Sequence, residues 1–421
     1  MHVCGRRETA DLSHVRRDDG PGGAQRTRAT TLRRLDLPRV RRDRRPGVIT
    51  VIGAGPAGLA SAAMLKRAGE PVVVLDRREV GEVWATRYDR LHLHTVRWLS
   101  GLPGYPMPRA LGKWPARDGV AEYLRRYAAH HELDIRTSTA VERVDRANHG
   151  WVVNTTGGTI EAERVVIATG QSNVPFLPDW PGEFAGDLIH SAAYRNPEPY
   201  RGRRVLVVGT GNSGAEIAVD LAEGGAGEVL VSVRTPPAIV RRDTLGIPSQ
   251  LLGIASMRMP TGAVDRIASG IRRVAIPDLA PYGLAAPERP YSEFLRRRVI
   301  PVVDVGFANA VRAGRVRIVG ALERFEDGAA VLADGGRIQV DAVIAATGFR
   351  TGLEPLVGHL DLLDEHGRPV VPDTEEPPGA PGLHFVGYEI TLGGTFRLVG
   401  IEAKRLAALV TRAPRAAEGR R

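Results

Sequence analysis

Apolar residues are unevenly distributed along this chain of 421 residues. The first 46 positions show no hydrophobic period, with 13 arginines and six acids scattered among glycines. Such a segment cannot bury enough surface to offset the entropy of ordering, so residues 1–46 are expected to be a disordered Arg-rich tail. At Gly47 the pattern changes. The β-branched run Val48-Ile49-Thr50-Val51-Ile52 reads as a buried strand, Gly53 to Gly58 as a tight turn, Leu59 to Ala68 as a helix and Val72 to Asp76 as a second strand. The same order recurs at Arg204 to Val208, Gly209 to Gly214, Ala215 to Ala222 and Glu228 to Arg234. Two βαβ nucleotide-binding units in one chain follow.

A second repeat supports the duplication. Glu142-Arg143 runs through Trp151-Val152-Val153 and a Gly157-Gly158 turn to Val165-Val166-Ile167-Ala168-Thr169-Gly170; Glu323-Arg324 runs through Ala330-Val331-Leu332 and a Gly335-Gly336 turn to Val343-Ile344-Ala345-Ala346-Thr347-Gly348. Each reads as a β-meander entering a buried strand that ends in Ala-Thr-Gly. The first unit lacks a carboxyl-terminal helix, which Gly400 to Val410 can supply, so the second unit is expected to be inserted into the first. The expected fold is therefore α/β with two Rossmann-like dinucleotide-binding domains: a discontinuous FAD-binding domain at 47–197 and 336–412, an NADPH-binding domain at 198–335, and a tail at 413–421.

Composition narrows the chemistry. The net charge of +10 sits mostly in the first 46 residues, so it is no footprint for nucleic acid on the body of the chain. The single cysteine, Cys4, excludes dithiol redox chemistry and a thiolate zinc site. The uncharged stretch Pro46 to Leu65 is long enough to span a bilayer, but Gly53, Gly55, Pro56 and Gly58 divide it into strand, turn and helix. With no signal-peptide core at the amino end, a cytoplasmic protein without stable membrane insertion is expected; its oligomeric state stays open.

Gly53-Ala54-Gly55-Pro56-Ala57-Gly58 has the G-x-G-x-x-G spacing between a strand and a helix, where glycines admit a pyrophosphate to the helix amides and Asp76 can accept from ribose hydroxyls. Gly209-Thr210-Gly211-Asn212-Ser213-Gly214 repeats it, with Arg234 at the second strand end instead of an acid. A guanidinium there suits a 2′-phosphate, although a solvated arginine would look the same in sequence. An acidic and a basic site read as FAD and NADPH, the pair that moves a hydride from nicotinamide to flavin. Oxygen, a quinone or a protein acceptor remains as the destination of the electrons.

Phe184-Ala-Gly186-Asp-Leu-Ile-His190-Ser-Ala-Ala-Tyr194 fits F-x-G-x-x-x-H-x-x-x-Y and resembles the identifying motif of the flavin-containing monooxygenases, which belong to the class B flavoprotein monooxygenases. Gly81-Glu-Val-Trp84, Tyr88-Asp-Arg-Leu-His-Leu-His94, Pro301 to Gly306 and Ala346-Thr347-Gly348-Phe349 are most similar to the family's YUCCA-like branch. The resemblance covers about residues 47 to 412. It implies a flavin C4a-hydroperoxide that oxygenates a small organic substrate with molecular oxygen, either an α-keto acid such as indole-3-pyruvate or an amine or sulfide. The alternative is an NADPH-dependent flavoprotein reductase serving a quinone or protein acceptor.

The resemblance also supplies site candidates. His94 replaces the asparagine that many members place near the reactive flavin carbon, and Tyr88 and Arg90 share its segment; these three are the catalytic candidates, although packing and solvation account for Tyr88 and Arg90 equally well. Trp84, Thr347 and Gly348 join the cofactor-binding set. His92 and His94 alternate as a metal pair would, but lack a third ligand cluster, and no metal is expected. His190 is expected to be structural. The pocket should lie between Trp84–His94 and Thr391–Phe396, with residues 235–300 as a cap or an apolar entrance.

Overall fold

A computed structural model describes residues 47–412 apart from 245, 258, 297 and 298. The tails expected at 1–46 and 413–421, and Cys4, lie outside the described residues.

Short continuous runs rich in β-branched residues build two five-stranded parallel sheets. In the first, the order across the sheet is Leu383–Phe385, Arg164–Ile167, Ile49–Ile52, Val72–Leu75 and Ile135–Arg136. In the second it is Asp187–His190, Ala342–Ala345, Arg204–Val208, Glu228–Ser232 and Arg317–Val319. Fully buried parallel strands lie between covered faces, which explains their continuous Val/Ile/Leu runs. In the first sheet Val51, Val74 and Val166 face the Ala-rich helix Pro56–Arg67, while Ile52, Leu75 and Ile167 face Trp151 and Val153 of a covering meander.

The meanders repeat in detail. Val141–Arg146, Trp151–Thr155 and Gly158–Ala162 form one antiparallel sheet, and Leu322–Glu326, Ala329–Leu332 and Arg337–Ile338 form the other. Their register shifts fall at corresponding places, Val141/Arg143 and Leu322/Arg324. The last helix, Thr395–Arg412, buries Val399, Ala403 and Leu406 in the same core as Leu59, Ala60 and Ala63 of the first-loop helix.

The topology corrects the division expected at 197/198 and 335/336. Asp187–His190 and Ala342–Ala345 both belong to the second sheet, paired Ala342↔Asp187 through Ala345↔His190. The chain leaving the first Ala-Thr-Gly therefore supplies the edge strand of the second sheet. The chain leaving the second supplies Leu383–Phe385, the edge of the first. Where these crossing segments meet, Val174–Pro175 and Phe349–Arg350 pair antiparallel. Each sheet thus gains a hydrogen-bonding edge from the other unit's exit, so no single cut in the chain separates the two.

Candidate active site

The first glycine loop is shaped by three different constraints. Gly53 has φ +108°, and a Cβ there would lie 2.6 Å from the Ala168 carbonyl oxygen. A Cβ on Gly58 would lie 1.7 Å from the Gly53 carbonyl oxygen, so glycine is needed for helix and strand to meet. Gly55 differs: its backbone is extended, and nothing in the protein lies within 4 Å of the position of a Cβ. That open space lies at the amino end of Pro56–Arg67, where no side chain caps the helix and an anion can reach the first-turn amides. Asp76 follows the second strand; its Oδ2 accepts the Ala54 N–H at 2.6 Å and its Oδ1 the Arg78 N–H at 2.9 Å. The carboxylate thereby holds the loop as well as facing the cavity beyond it.

The second loop reproduces this geometry. Gly209 has φ +104° and would clash with the Ala346 carbonyl oxygen at 2.6 Å; Gly214 would meet the Gly209 carbonyl oxygen at 2.0 Å; Gly211 has open space. Its helix, Asn212–Glu223, likewise has no side-chain cap. Strand-end hydrogen bonds fix the equivalence: Gly53 N–H donates to the Leu75 carbonyl and Gly209 N–H to that of Ser232. Val233 therefore matches Asp76, and Arg234 lies one residue further on. In sequence the two look equivalent because each is the first charged residue after its strand, Asp76 directly after Leu75 and Arg234 two residues after Ser232. Arg234 is exposed at this strand end.

A cavity of about 1440 Å³ connects these parts. Its wall includes Gly53 to Ala57, Asp76, Trp84, His94, Thr169 to Asn173, Asn212 and Phe396. Trp84 stands edge-on to Phe396, ring centroids 5.8 Å apart. Between residues 235 and 300, strand Ile239–Arg241 and helices Ser249–Ser256 and Thr261–Ala275 complete the wall. Gln250 ties them to the rest, its Oε1 accepting the Val96 N–H at 2.9 Å and its Nε2 donating to the Gly393 carbonyl at 2.7 Å. Asn212 is the second-loop residue in the wall, with its side chain bonded to the backbone of Pro301 and Val303.

Several expected site residues lie elsewhere. Thr347 and Gly348 are not in the wall, because Ala342–Ala345 belongs to the second sheet; Thr347 Oγ1 donates to the Phe176 carbonyl and the Gly348 carbonyl meets His190 Nε2 at 2.9 Å. Their counterparts Thr169 and Gly170 face the cavity. Arg90 pairs with Glu223 and, at 3.8 Å, with Asp220 of helix Asn212–Glu223, and is itself outside the cavity wall. Tyr88 is buried outside the wall beside Glu216 and Ser213; burial, then the Glu216 charge, push its hydroxyl pKa well up. Of the three catalytic candidates, His94 alone lines the cavity. His92 is exposed, its Nδ1 2.8 Å from the Arg90 carbonyl.

This arrangement has close relatives. A family profile for pyridine nucleotide-disulphide oxidoreductases matches residues 50–245. The probable indole-3-pyruvate monooxygenase YUCCA3 of Arabidopsis thaliana is 33% identical over 80% of this chain and 81% of its own, and the indole-3-pyruvate monooxygenase YUCCA1 of Oryza sativa is 34% identical over 82% and 86%. Among solved structures, a flavin-containing monooxygenase from Stenotrophomonas maltophilia superposes with a TM-score of 0.64 at 28% identity, covering 86% of this chain and 98% of that one. The chain belongs to the YUCCA-like flavin-containing monooxygenases.

In this flavin-containing monooxygenase the identifying motif is a packing element. Phe184 stacks on Phe325 with centroids 4.9 Å apart, and a Cβ on Gly186 would lie 2.5 Å from the Asp341 carbonyl oxygen. His190 Nδ1 accepts the Ala192 N–H at 3.1 Å, so Nε2 carries the proton donated to Gly348. Tyr194 donates to Asp220 at 2.8 Å.

Sequence reasoning missed two buried acidic groups in the monooxygenase. Glu216, 3% exposed, lies 2.7 Å from His94 Nε2. Asp373 Oδ2 accepts three successive amides, Gly387, Tyr388 and Glu389, at 2.7–3.0 Å, beside Glu402, whose Oε2 lies 3.2 Å from the Gly387 nitrogen. Burial, then Asp373, raise the Glu402 carboxyl to about 8. Because Asp373 has the three amide donors, Glu402 is the member that keeps the proton.

Proposed function

We propose that this flavin-containing monooxygenase holds FAD along the first glycine loop and uses NADPH to oxygenate an aromatic α-keto acid with molecular oxygen. One observation carries the reading: a single cavity joins the open cradle at Gly55, Asp76, His94 and second-loop Asn212. Gly53 to Gly58 and Asp76 would hold the dinucleotide of the flavin, and Gly209 to Gly214 with Arg234 that of NADPH. The bound flavin supplies the redox and oxygen chemistry. The chain's part is to admit both reactants, orient them and exclude water. Apolar walls from Val83, Trp84, Leu252, Leu392 and Phe396 suit an indole ring, and Arg241, Arg242 and Arg272 in the same wall suit a carboxylate.

For indole-3-pyruvate, on which the curated relatives are named to act, the overall change balances as keto acid, oxygen, NADPH and one proton giving the acid shortened by one carbon, carbon dioxide, NADP⁺ and water. A disulfide reductase, the other activity suggested by the family profile, needs a dithiol that one cysteine cannot form. The test is turnover under ¹⁸O₂ with NADPH and indole-3-pyruvate. One labelled oxygen in the product carboxylate supports the reading. NADPH consumption that yields only hydrogen peroxide with keto acids, amines and sulfides alike refutes it in favour of a reductase.

A further inference from the structure

Glu216 lies in the second-loop helix between the buried side chains of Ala215, Ile217, Ala218 and Val219. A carboxylate there is costly unless its oxygens are matched by donors. Two groups from the 88–94 segment face it, while Oε1 itself has no hydrogen-bond partner among the described residues. Tyr88, 4% exposed, lies beside Glu216 and Ser213, and burial, then the Glu216 charge, raise its pKa so that it stays a phenol. His94 brings Nε2 to 2.7 Å from Oε1. Arg242, directly after strand Ile239–Arg241, is a further charge acting on this carboxylate. A buried carboxylate can only accept, so the proton of a neutral His94 must be on Nε2. Nδ1 is then a lone-pair acceptor, and it is buried with no partner among the described residues, in a side chain that lines the cavity.

We propose that Glu216 is the positioning residue of the site: it holds His94 as the Nε2–H tautomer, leaving Nδ1 to accept a hydrogen bond from a cofactor or substrate donor in the cavity. Buried polar atoms are rarely left unmatched, and a partner is missing at His94 Nδ1 and at Glu216 Oε1 alike. The neighbours Ser213, Tyr88, Glu216 and His94 also run from the second glycine loop to the wall of the first loop's cavity. Tyr88 and Ser213 thereby act through Glu216 and need no direct contact with a reacting atom. The proposal rests on reading the cavity as the cofactor and substrate site.

The experiment is a ¹H–¹⁵N long-range correlation spectrum of the FAD-loaded protein carrying ¹⁵N-histidine, with His94→Asn to assign the resonance. The expected result at pH 7.5 is an Nε2–H pattern with a strongly downfield proton that moves upfield in Glu216→Gln. That isosteric variant should keep the wild-type flavin content and rate of reduction by NADPH, while less of its NADPH ends in oxygenated product. An Nδ1–H or doubly protonated His94, or a proton signal unmoved in Glu216→Gln, overturns the proposal. Failure of every substrate to be oxygenated would instead strike the functional reading, with the tautomer assignment untouched.

Discussion

Gly55 and Gly58 stand three residues apart in one loop, yet replacing each with alanine should have opposite consequences. At Gly58 the new Cβ would sit 1.7 Å from a backbone oxygen, so strand and helix must separate; overpacking of this kind costs about 1–3 kcal/mol. At Gly55 the methyl meets no protein atom, and φ −78° with ψ −177° is ordinary for an L residue. Alanine there gains about 0.4–1 kcal/mol through the unfolded state and loses a comparable amount as a poorer N-cap, so melting of the flavin-free protein should shift by no more than about 2 °C. The methyl does occupy the space through which a pyrophosphate reaches the helix amides. Losing one charge-assisted hydrogen bond, about 1.5–3 kcal/mol, raises the Kd for FAD roughly tenfold to more than a hundredfold. Titration of flavin-free protein by flavin fluorescence, beside thermal melts, reads both quantities. A Gly55→Ala protein that binds FAD with wild-type affinity, or a Gly58→Ala protein as stable as wild type, would refute the assignment of the cradle.

The duplicated loop makes the matching prediction that Gly211→Ala keeps full FAD content but raises KM for NADPH tenfold or more in steady-state assays. Arg234→Glu should lower the ratio of kcat/KM for NADPH over NADH by roughly tenfold to more than a hundredfold, as loss of a charged contact to a 2′-phosphate requires; an unchanged ratio would leave Arg234 a solvated strand end. Tyr194→Phe removes the donor to half-buried Asp220 and should cost about 1–3 kcal/mol in denaturant unfolding, without altering the NADPH/NADH ratio. Glu402 has a folded pKa raised to about 8 by burial and Asp373, so the unfolded chain binds fewer protons as pH rises above about 4.5. Its contribution to stability is present below that pH and is lost as pH climbs through about 8; Glu402→Gln should flatten the fall in melting temperature across this window.

The nucleotide loops were legible because a glycine pattern, a strand before it and a helix after it are all local, and the meanders because their Ala-Thr-Gly exits repeat. What the sequence hid was nonlocal. Asp187–His190 and Leu383–Phe385 are short parallel edge strands, and nothing in their residues states which sheet they join; only the register Ala342↔Asp187 and Leu383↔Val165 decides it. Glu216 was hidden differently. Glu216, Asp220 and Glu223 recur at helical spacing and read as a solvated acidic stripe, but Tyr88, Arg90 and His94 lie across them. The readable signal was the complementarity of the two segments, three acids facing two donors and a cation, rather than either segment alone.

The edge-strand exchange also accounts for the unequal fate of the two Ala-Thr-Gly turns. Each turn packs beneath the first glycine of its own loop, Ala168 under Gly53 and Ala346 under Gly209, so closely in both copies that a Cβ on the glycine would lie 2.6 Å from the turn's carbonyl oxygen. Beyond that contact their surroundings differ. After Thr169 the chain runs along the cavity wall through Asn173 before it pairs with Phe349–Arg350, and Thr169 Oγ1 is held 2.8 Å from the Tyr388 hydroxyl. After Thr347 the Gly348 carbonyl takes His190 of the motif strand, and Phe349 packs edge-on to that imidazole at 5.0 Å. A symmetric pair of nucleotide units would offer two equivalent walls. Because the second turn is committed to holding the crossing segments together, the ligand-facing surface falls to the first, and the duplicated fold gains one large cavity on the first loop's side.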